Sequence, residues 1–340
     1  MGIIGVAQEH GAADAVNRAA RIDPVTRSVG DRHSVAGNAA YSFNEIRAAL
    51  CDFARRGGPA PDEYTSLQCL MDRIAVSRAN GTISDAMNDS LWDSIGEAGS
   101  PQTLMGFIYR KPHGYHGDFE IIDKFYRNWV NPQPHLARWD SWIQSLDATQ
   151  AVRNRKAFFT NLVCSLDSSA APQILIVGSG PCRDLREAFE MDPHAFSATC
   201  VDTDPRANAY ARELLNGYGD RVAFVEKNAL RINFNEEFDV AWSAGLFDYL
   251  DDRLFVVALR RMYRAVRPPG SAIIGNLSLF NSSRAAMEWA NWRLFHRSPE
   301  QLLQLVHDAQ LSNAGIDISS EPLGVNLFIT IVKQQGDTGC

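Results

Sequence analysis

The second half of the chain predicts a doubly wound α/β sheet, and the first half predicts helices alone. Three observations lead there. ILIVG at 174–178 is a short, largely β-branched run, the composition of a strand buried on both faces of a parallel sheet. Similar runs follow as SATCVD at 197–202, RVAFVEKNA at 221–229, FDVAWSAG at 238–245 and SAIIGNLS at 271–278. Between them lie DLREAFEM, DPRANAYARELLN and RLFVVALRRMYRAV, all with helical spacing, and QLLQLVHDAQ precedes a last strand in GVNLFITIVKQ. Strands alternating with helices of this length make βαβ units, and ligands of such sheets bind outside the carboxyl ends of the strands.

The first half is read element by element. Residues 1–40 show no sustained period and are rich in Ala, Gly, Asp and Arg, which predicts a flexible tail. Ser42, with Glu45 at the capping-box position, opens the helix EIRAALCDFARR, and Gly57-Gly58 stops it. DEYTSLQCLMDRIAVSRA predicts a second helix ending at Asn80-Gly81, and residues 83–95 a third. Ser100-Pro101 open another that Pro112 closes. Residues 119–129 and 147–163 complete the helical pattern. The expected organisation is a tail at 1–40, a helical lid at 41–165 and an α/β catalytic domain at 166–335.

Composition narrows the function. The chain has 340 residues, 45% apolar and 21% charged, ordinary values for a soluble globular protein. A net charge of −7 argues against a nucleic-acid surface, which needs a basic field. No apolar run approaches 18 residues, so membrane insertion is not expected, and the start lacks the order of a secretion signal. Cys51, Cys69, Cys164, Cys182, Cys200 and Cys340 form no CxxC pair, so neither structural zinc nor a disulfide scaffold is expected, and a reducing cytoplasm is the default compartment.

The chemistry concentrates at the first strand-to-helix turn, IVGSGPCRDL. Gly178 and Gly180 follow the strand directly, where a tight turn needs positive φ and a ligand needs bare main chain. The third glycine of a dinucleotide fingerprint would stand at Arg183, which disfavours NAD or FAD and favours the shorter turn of S-adenosylmethionine (SAM) domains. Asp202 ends the second strand, where a carboxylate can accept both ribose hydroxyls; Asp204 is the better helix cap. Asn228-Ala229 offer an amide and a backbone N–H to an adenine. Ser243, Ala244 and Gly245 supply small residues after the fourth strand, followed by Phe247 and Tyr249.

On these features residues 171–333 resemble a class I SAM-dependent methyltransferase domain with a Rossmann-like sheet. The resemblance implies that Gly178, Ser179 and Gly180 form the nucleotide-proximal loop, Asp202 holds the ribose, Asn228 and Ala229 hold the adenine, and Ser243 lies near the sulfonium. Two departures stand out: Ile176 replaces the acid usual two places before the first glycine, and Cys182 replaces the third glycine. The methionine end is then expected to be held from outside this loop.

The segment YRKPHGYHGDFEIIDKFYRNW at 109–129 displays aromatic and charged residues around Gly114 and Gly117. Aromatic faces and a carboxylate suit a sulfonium, which makes Tyr115, Tyr126 and Asp118 candidates; Arg153 and Arg183 are candidates for the cofactor's carboxylate. The bland alternative is a polar loop and an amphipathic helix. This segment and AVRNRK resemble the N-terminal region of bacterial fatty-acid methyl ester (3-hydroxypalmitate methyl ester) synthases. His113 and His116 lack a third ligand at convincing spacing, so no metal is expected. The pairs Trp139/Trp142 and Trp289/Trp292 each share one helix face, for core packing or ligand contact alike.

The expected activity is methyl transfer from SAM to a small-molecule carboxylate, hydroxyl or amine. A carboxylate needs no base; for the others Tyr115, His116, Asp118 and Tyr249 are the candidates. Transfer or cyclisation of the 3-amino-3-carboxypropyl arm, releasing methylthioadenosine, is the alternative, motivated by Ile176. A SAM-binding module without catalysis is the third reading.

Overall fold

The computed structural model describes residues 42–192 and 196–335. The expected tail lies outside those residues, as do His194 and Cys340. Two compact units result: one comprises residues 42–150 with 282–293, the other residues 151–281 with 294–335.

The first unit is all helical. It contains α1 (Phe43–Arg55), α2 (Tyr64–Ala79), α3 (Asp85–Ser94), α4 (Leu104–Arg110), α5 (Phe119–Tyr126) and α6 (Pro134–Ser145), and receives α11 (Arg284–Trp289) from late in the chain. The capping box at α1 is formed: Ser42 N–H donates to Glu45 Oε2 at 2.7 Å, and Glu45 N–H to Ser42 Oγ at 3.3 Å. The helix expected at Ser100-Pro101 begins later, at Leu104, because Thr103 is the residue whose hydroxyl accepts the Gly106 N–H, at 3.0 Å. α6 escaped the sequence reading, although Pro134 at its first turn and the Trp139/Trp142 spacing both announce it. Both tryptophans are buried there, as core.

A tryptophan stack organises this unit. The Trp92 ring lies 4.1 Å from Trp289 on one side and 4.3 Å from Tyr109 on the other, centroid to centroid. Trp92 Nε1 also donates to Trp289 O at 3.1 Å, and Arg78 Nη1 to Glu288 O at 2.7 Å. Buried Asp140 joins two further loops by accepting the N–H groups of Leu104 (2.7 Å) and Asn131 (2.9 Å).

The α/β unit holds a seven-stranded sheet in the order β3-β2-β1-β4-β5-β7-β6. Its strands are β1 (Gln173–Val177), β2 (Ser197–Asp202), β3 (Val222–Glu226), β4 (Phe238–Ser243), β5 (Val266–Leu277), β6 (Ala314–Ser320) and β7 (Asn326–Lys333). The first five run parallel, and β7 is antiparallel to both β5 and β6. Side chains alternate across the sheet as a period of two demands. Ile174 and Ile176 face one core with Phe158, Phe159 and Leu162 of α7 (Asp147–Cys164) and with α8 (Arg183–Met191) and α9 (Pro205–Leu214). Leu175 and Val177 face the other, with α10 (Asp252–Ala265) and α12 (Pro299–Asp308). β6 was not expected: AGIDISS lacks an apolar run because it is a half-exposed edge strand.

Replacing Trp92 by Ala removes the middle of the stack and leaves a cavity, which should cost about 3–5 kcal/mol in urea unfolding. A loss under about 1 kcal/mol would show that the stack does not hold α11 in place.

Candidate cofactor site

The residues singled out in the second half converge on the carboxyl ends of β1 to β4. The order reverses there, because β1 has β2 on one side and β4 on the other, and an open α/β sheet leaves a crevice at that point.

Gly178 and Gly180 have φ of +67° and +54°, conformations that side chains resist. A Cβ at 178 would stand 3.2 Å from Leu246 Cβ, whereas at 180 nothing lies within 4 Å. The N–H groups of Gly178 and Ser179 both donate to Val201 O, at 2.8 and 3.2 Å, folding the turn onto the end of β2. Asp202 continues the closure: its Oδ2 accepts Gly180 N–H and its Oδ1 accepts Asp204 N–H, each at 2.9 Å. Each oxygen retains acceptor capacity beyond one bond. Burial raises the Asp202 pKa, and the backbone donors oppose that rise. Asp204 caps α9 by accepting Arg206 N–H at 2.9 Å.

Asn228 lies just past β3, exposed, its Oδ1 accepting Leu230 N–H at 2.8 Å to start the short turn Ala229–Arg231. Asp202 and Glu226 are in register, and Lys227 N–H donates to Asp202 O at 3.1 Å, so these strand ends lie side by side. Ser243 is fully buried; its hydroxyl donates to Val177 O at 2.8 Å and ties β4 to β1 just beneath the turn. Ile176 is a core residue, in register with Cys200 and Trp242. The turn also holds an unsatisfied group, since Ser179 Oγ is buried with no hydrogen-bond partner among the described residues. An orphan hydroxyl beside a glycine with open space above it fits a bound nucleoside.

Tyr115, His116, Asp118 and Tyr126 belong to the helical unit. Asp118 is not displayed on a loop: it is 2% exposed and caps α5, Oδ1 accepting Glu120 N–H (2.9 Å) and Ile121 N–H (3.1 Å). Its pKa is raised by burial. His116 lies near-parallel to Trp292, centroids 6.3 Å apart, and burial, with the Lys111 charge, lowers its pKa to about 4. Tyr115 is 39% exposed and Tyr126 is buried at the end of α5. His113 pairs with Glu120 at 2.9 Å, and no group of three or more His, Cys, Asp or Glu among the described residues could hold a metal. Tyr249 belongs to the α/β unit and is 40% exposed, just past β4. Arg153 is half-buried on α7, its pKa lowered by burial, and Arg183 is the first residue of α8.

Sequence reasoning missed Arg155, Asp184 and Asp248. Arg155 is 8% exposed, and its guanidinium occupies the space beside Gly245, where a Cβ would meet Nη1 at 2.8 Å. Burial raises Asp184 and Asp248 to about 6, against the pull of Arg155, which draws both down. Asp248 Oδ1 accepts Leu277 N–H at 2.6 Å. A signal existed: Val152, Arg155, Phe159 and Leu162 fall on one apolar helix stripe, so Arg155 is a charge on the buried face.

Residues 174–270 match the family model of a methyltransferase domain. That segment therefore carries a methyltransferase-type domain, and it lies within the Rossmann-like α/β unit. None of the curated proteins compared with the chain matches. Among solved structures, a possible exported protein from Bordetella parapertussis shares the fold, at TM-score 0.56 and 15% identity over 89% of this chain and 100% of that one. The 1,6-didemethyltoxoflavin-N1-methyltransferase of Burkholderia thailandensis, solved with 1,6-didemethyltoxoflavin and S-adenosylhomocysteine, is similar at TM-score 0.40 and 19% identity, over 57% of this chain and 86% of that one. No helix among the described residues is long and apolar enough to cross a membrane.

Asp184 and Asp248 bind protons more tightly folded than unfolded, because their pKa rises from 3.8 to about 6. The linkage sign follows: their contribution to stability is full below about pH 4 and is lost as pH rises through about 6. Asp184→Asn should therefore gain in Tm relative to wild type between pH 4 and pH 7. A Tm difference that stays flat across that range would overturn the assignment.

Proposed function

We propose that Gly178, Ser179, Gly180, Asp202, Asn228 and Ala229 bind SAM and that the chain methylates a small-molecule acceptor. One observation supports this most: the Asp202 carboxylate holding Gly180 N–H at 2.9 Å joins a bare glycine turn to an acid at the next strand's end. SAM supplies a methyl group already activated by a sulfonium. The chain's own part is to bind, align and exclude water. Asp202 accepts the ribose hydroxyls on its remaining lone pairs, and Ser179 Oγ gains the partner it lacks. Asn228 and the Ala229 N–H read the adenine edge. Ser243 shapes the floor near the sulfur through its tie to β1 rather than by direct contact, since its hydroxyl already donates to Val177 O. Arg183, at the first turn of α8, and Arg153 offer cations to the methionine carboxylate.

The acceptor that these residues serve best is a carboxylate, which needs no proton removed. The candidates for a base are poorly suited. Asp118 is engaged as a cap. His116, with a pKa of about 4, is neutral and weakly basic at physiological pH. Tyr249 is the remaining candidate in the α/β unit and would serve a hydroxyl or amine acceptor. The net charge of −7 also fits a small molecule better than a polyanion.

Incubation with SAM and a panel of carboxylic acids should release S-adenosylhomocysteine; methylthioadenosine as the enzymatic product would overturn methyl transfer. Asp202→Ala removes a charged acceptor and should weaken SAM binding about 10- to 100-fold by calorimetry. An affinity within twofold of wild type would refute the ribose assignment.

A further inference from the structure

We propose that Arg155 is a positioning residue of the donor site: its guanidinium, lodged against Gly245 and Ala244 O with its charge reaching the buried carboxylates of Asp184 and Asp248, holds the corner after β1 at a fixed spacing from the corner after β4. This inference rests on the SAM reading and goes beyond it, because it assigns a function to a charge that is buried in the core stripe of α7.

The geometry is specific. Arg155 Nη1 lies 3.5 Å from Ala244 O, and an ideal Cβ on Gly245 would meet Nη1, Nη2 and Cζ at 2.8, 3.0 and 3.1 Å. Glycine at 245 is therefore what admits the guanidinium. Asp184 belongs to the first turn of α8, directly after the glycine turn, and its Oδ1 accepts Leu185 N–H at 2.9 Å. Asp248 follows β4 and is fixed to β5 through Leu277 N–H. The charge of one cation thus acts on an acid on each side of the point where the sheet order reverses, and both acids are buried. A planar guanidinium can serve several acceptors in fixed directions, which a lysine ammonium cannot reproduce.

Other charges surround the cluster. Glu187 on α8 raises Asp184 and is itself paired with Lys156 at 2.7 Å. Arg297 draws Asp248 down, while donating to Phe247 O, Leu250 O and Asp252. Arg153 and Arg183 flank Arg155 and Asp184 in sequence. Loss of Arg155 leaves Asp248 with Arg297 and Asp184 with the opposing charge of Glu187, so both acids should titrate at higher pH than in the wild type.

The test measures SAM affinity from pH 5 to pH 8 for wild type, Arg155→Met, Arg155→Lys and Gly245→Ala. Wild-type affinity should fall below about pH 6, as Asp184 and Asp248 take up protons; Asp202, also raised by burial, acts in the same direction. Arg155→Met should weaken binding tenfold or more at pH 7.5 and move the inflection upward. Arg155→Lys should restore the inflection but only part of the affinity. Gly245→Ala, which displaces the guanidinium and keeps every charge, should weaken binding without removing the inflection. If Arg155→Met does not fold, Gly245→Ala and Arg155→Lys decide by the same measurements. Variants that bind SAM within twofold of wild type, with the inflection unmoved, overturn the proposal. A wild-type protein that binds no SAM at any pH refutes the donor site itself, a different result.

Discussion

A single carboxylate shared by two backbone amides sets the geometry of the corner where β1 and β2 end. Asp202 takes Gly180 N–H from the turn after β1 and Asp204 N–H from the turn after β2. Hydrogen bonds to a charged acceptor contribute about 1.5–3 kcal/mol each, enough to hold a turn whose φ is positive at Gly178, Gly180 and Cys182. On the proposed reading the same oxygens meet the ribose. Turn and ligand would then be anchored by one group, and loosening either loosens the other. Ser243 completes the corner from below by closing β4 onto β1.

The α/β half was legible because its buried strands are written as apolar runs. Ile174 and Ile176 alternate with Leu175 and Val177 between two cores, and no polar residue obscures the pattern. The edge strand β6 was not legible, because half-exposed backbone at an edge tolerates Asp317, Ser319 and Ser320. The helical half was read well where caps are strong, as at Ser42, and poorly where a proline competes with a better cap nearby, as with Pro101 and Thr103. Residue type alone could not separate a displayed acid from a capping one. Asp118 precedes the helix that it caps, and that position, more than the adjacent glycine, determines where its oxygen points.

Buried charge was the hardest feature to read. Arg153 and Arg155 sit two apart on α7 and so face different directions, yet composition makes them equivalent. Only the helical phase distinguishes them: Arg155 falls between Val152 and Phe159 on the buried stripe. Asp140, Asp184 and Asp248 follow a common rule, each buried and each accepting backbone N–H groups at a chain turn. Such acids exchange hydration for main-chain donors, and their raised pKa values record that the exchange is incomplete.

The helical unit is assembled from two separate stretches of chain. Residues 282–293, which follow β5, belong to it, and Trp289 among them stacks on Trp92. Consequently it is no detachable module. A fragment ending at residue 150 would lack that stretch, leaving the Trp92 face bare, and a chimera that transplants the N-terminal half alone would inherit a mismatched insert. Synthesis order has the same result: the ribosome must make most of the α/β sheet before the helical core can close.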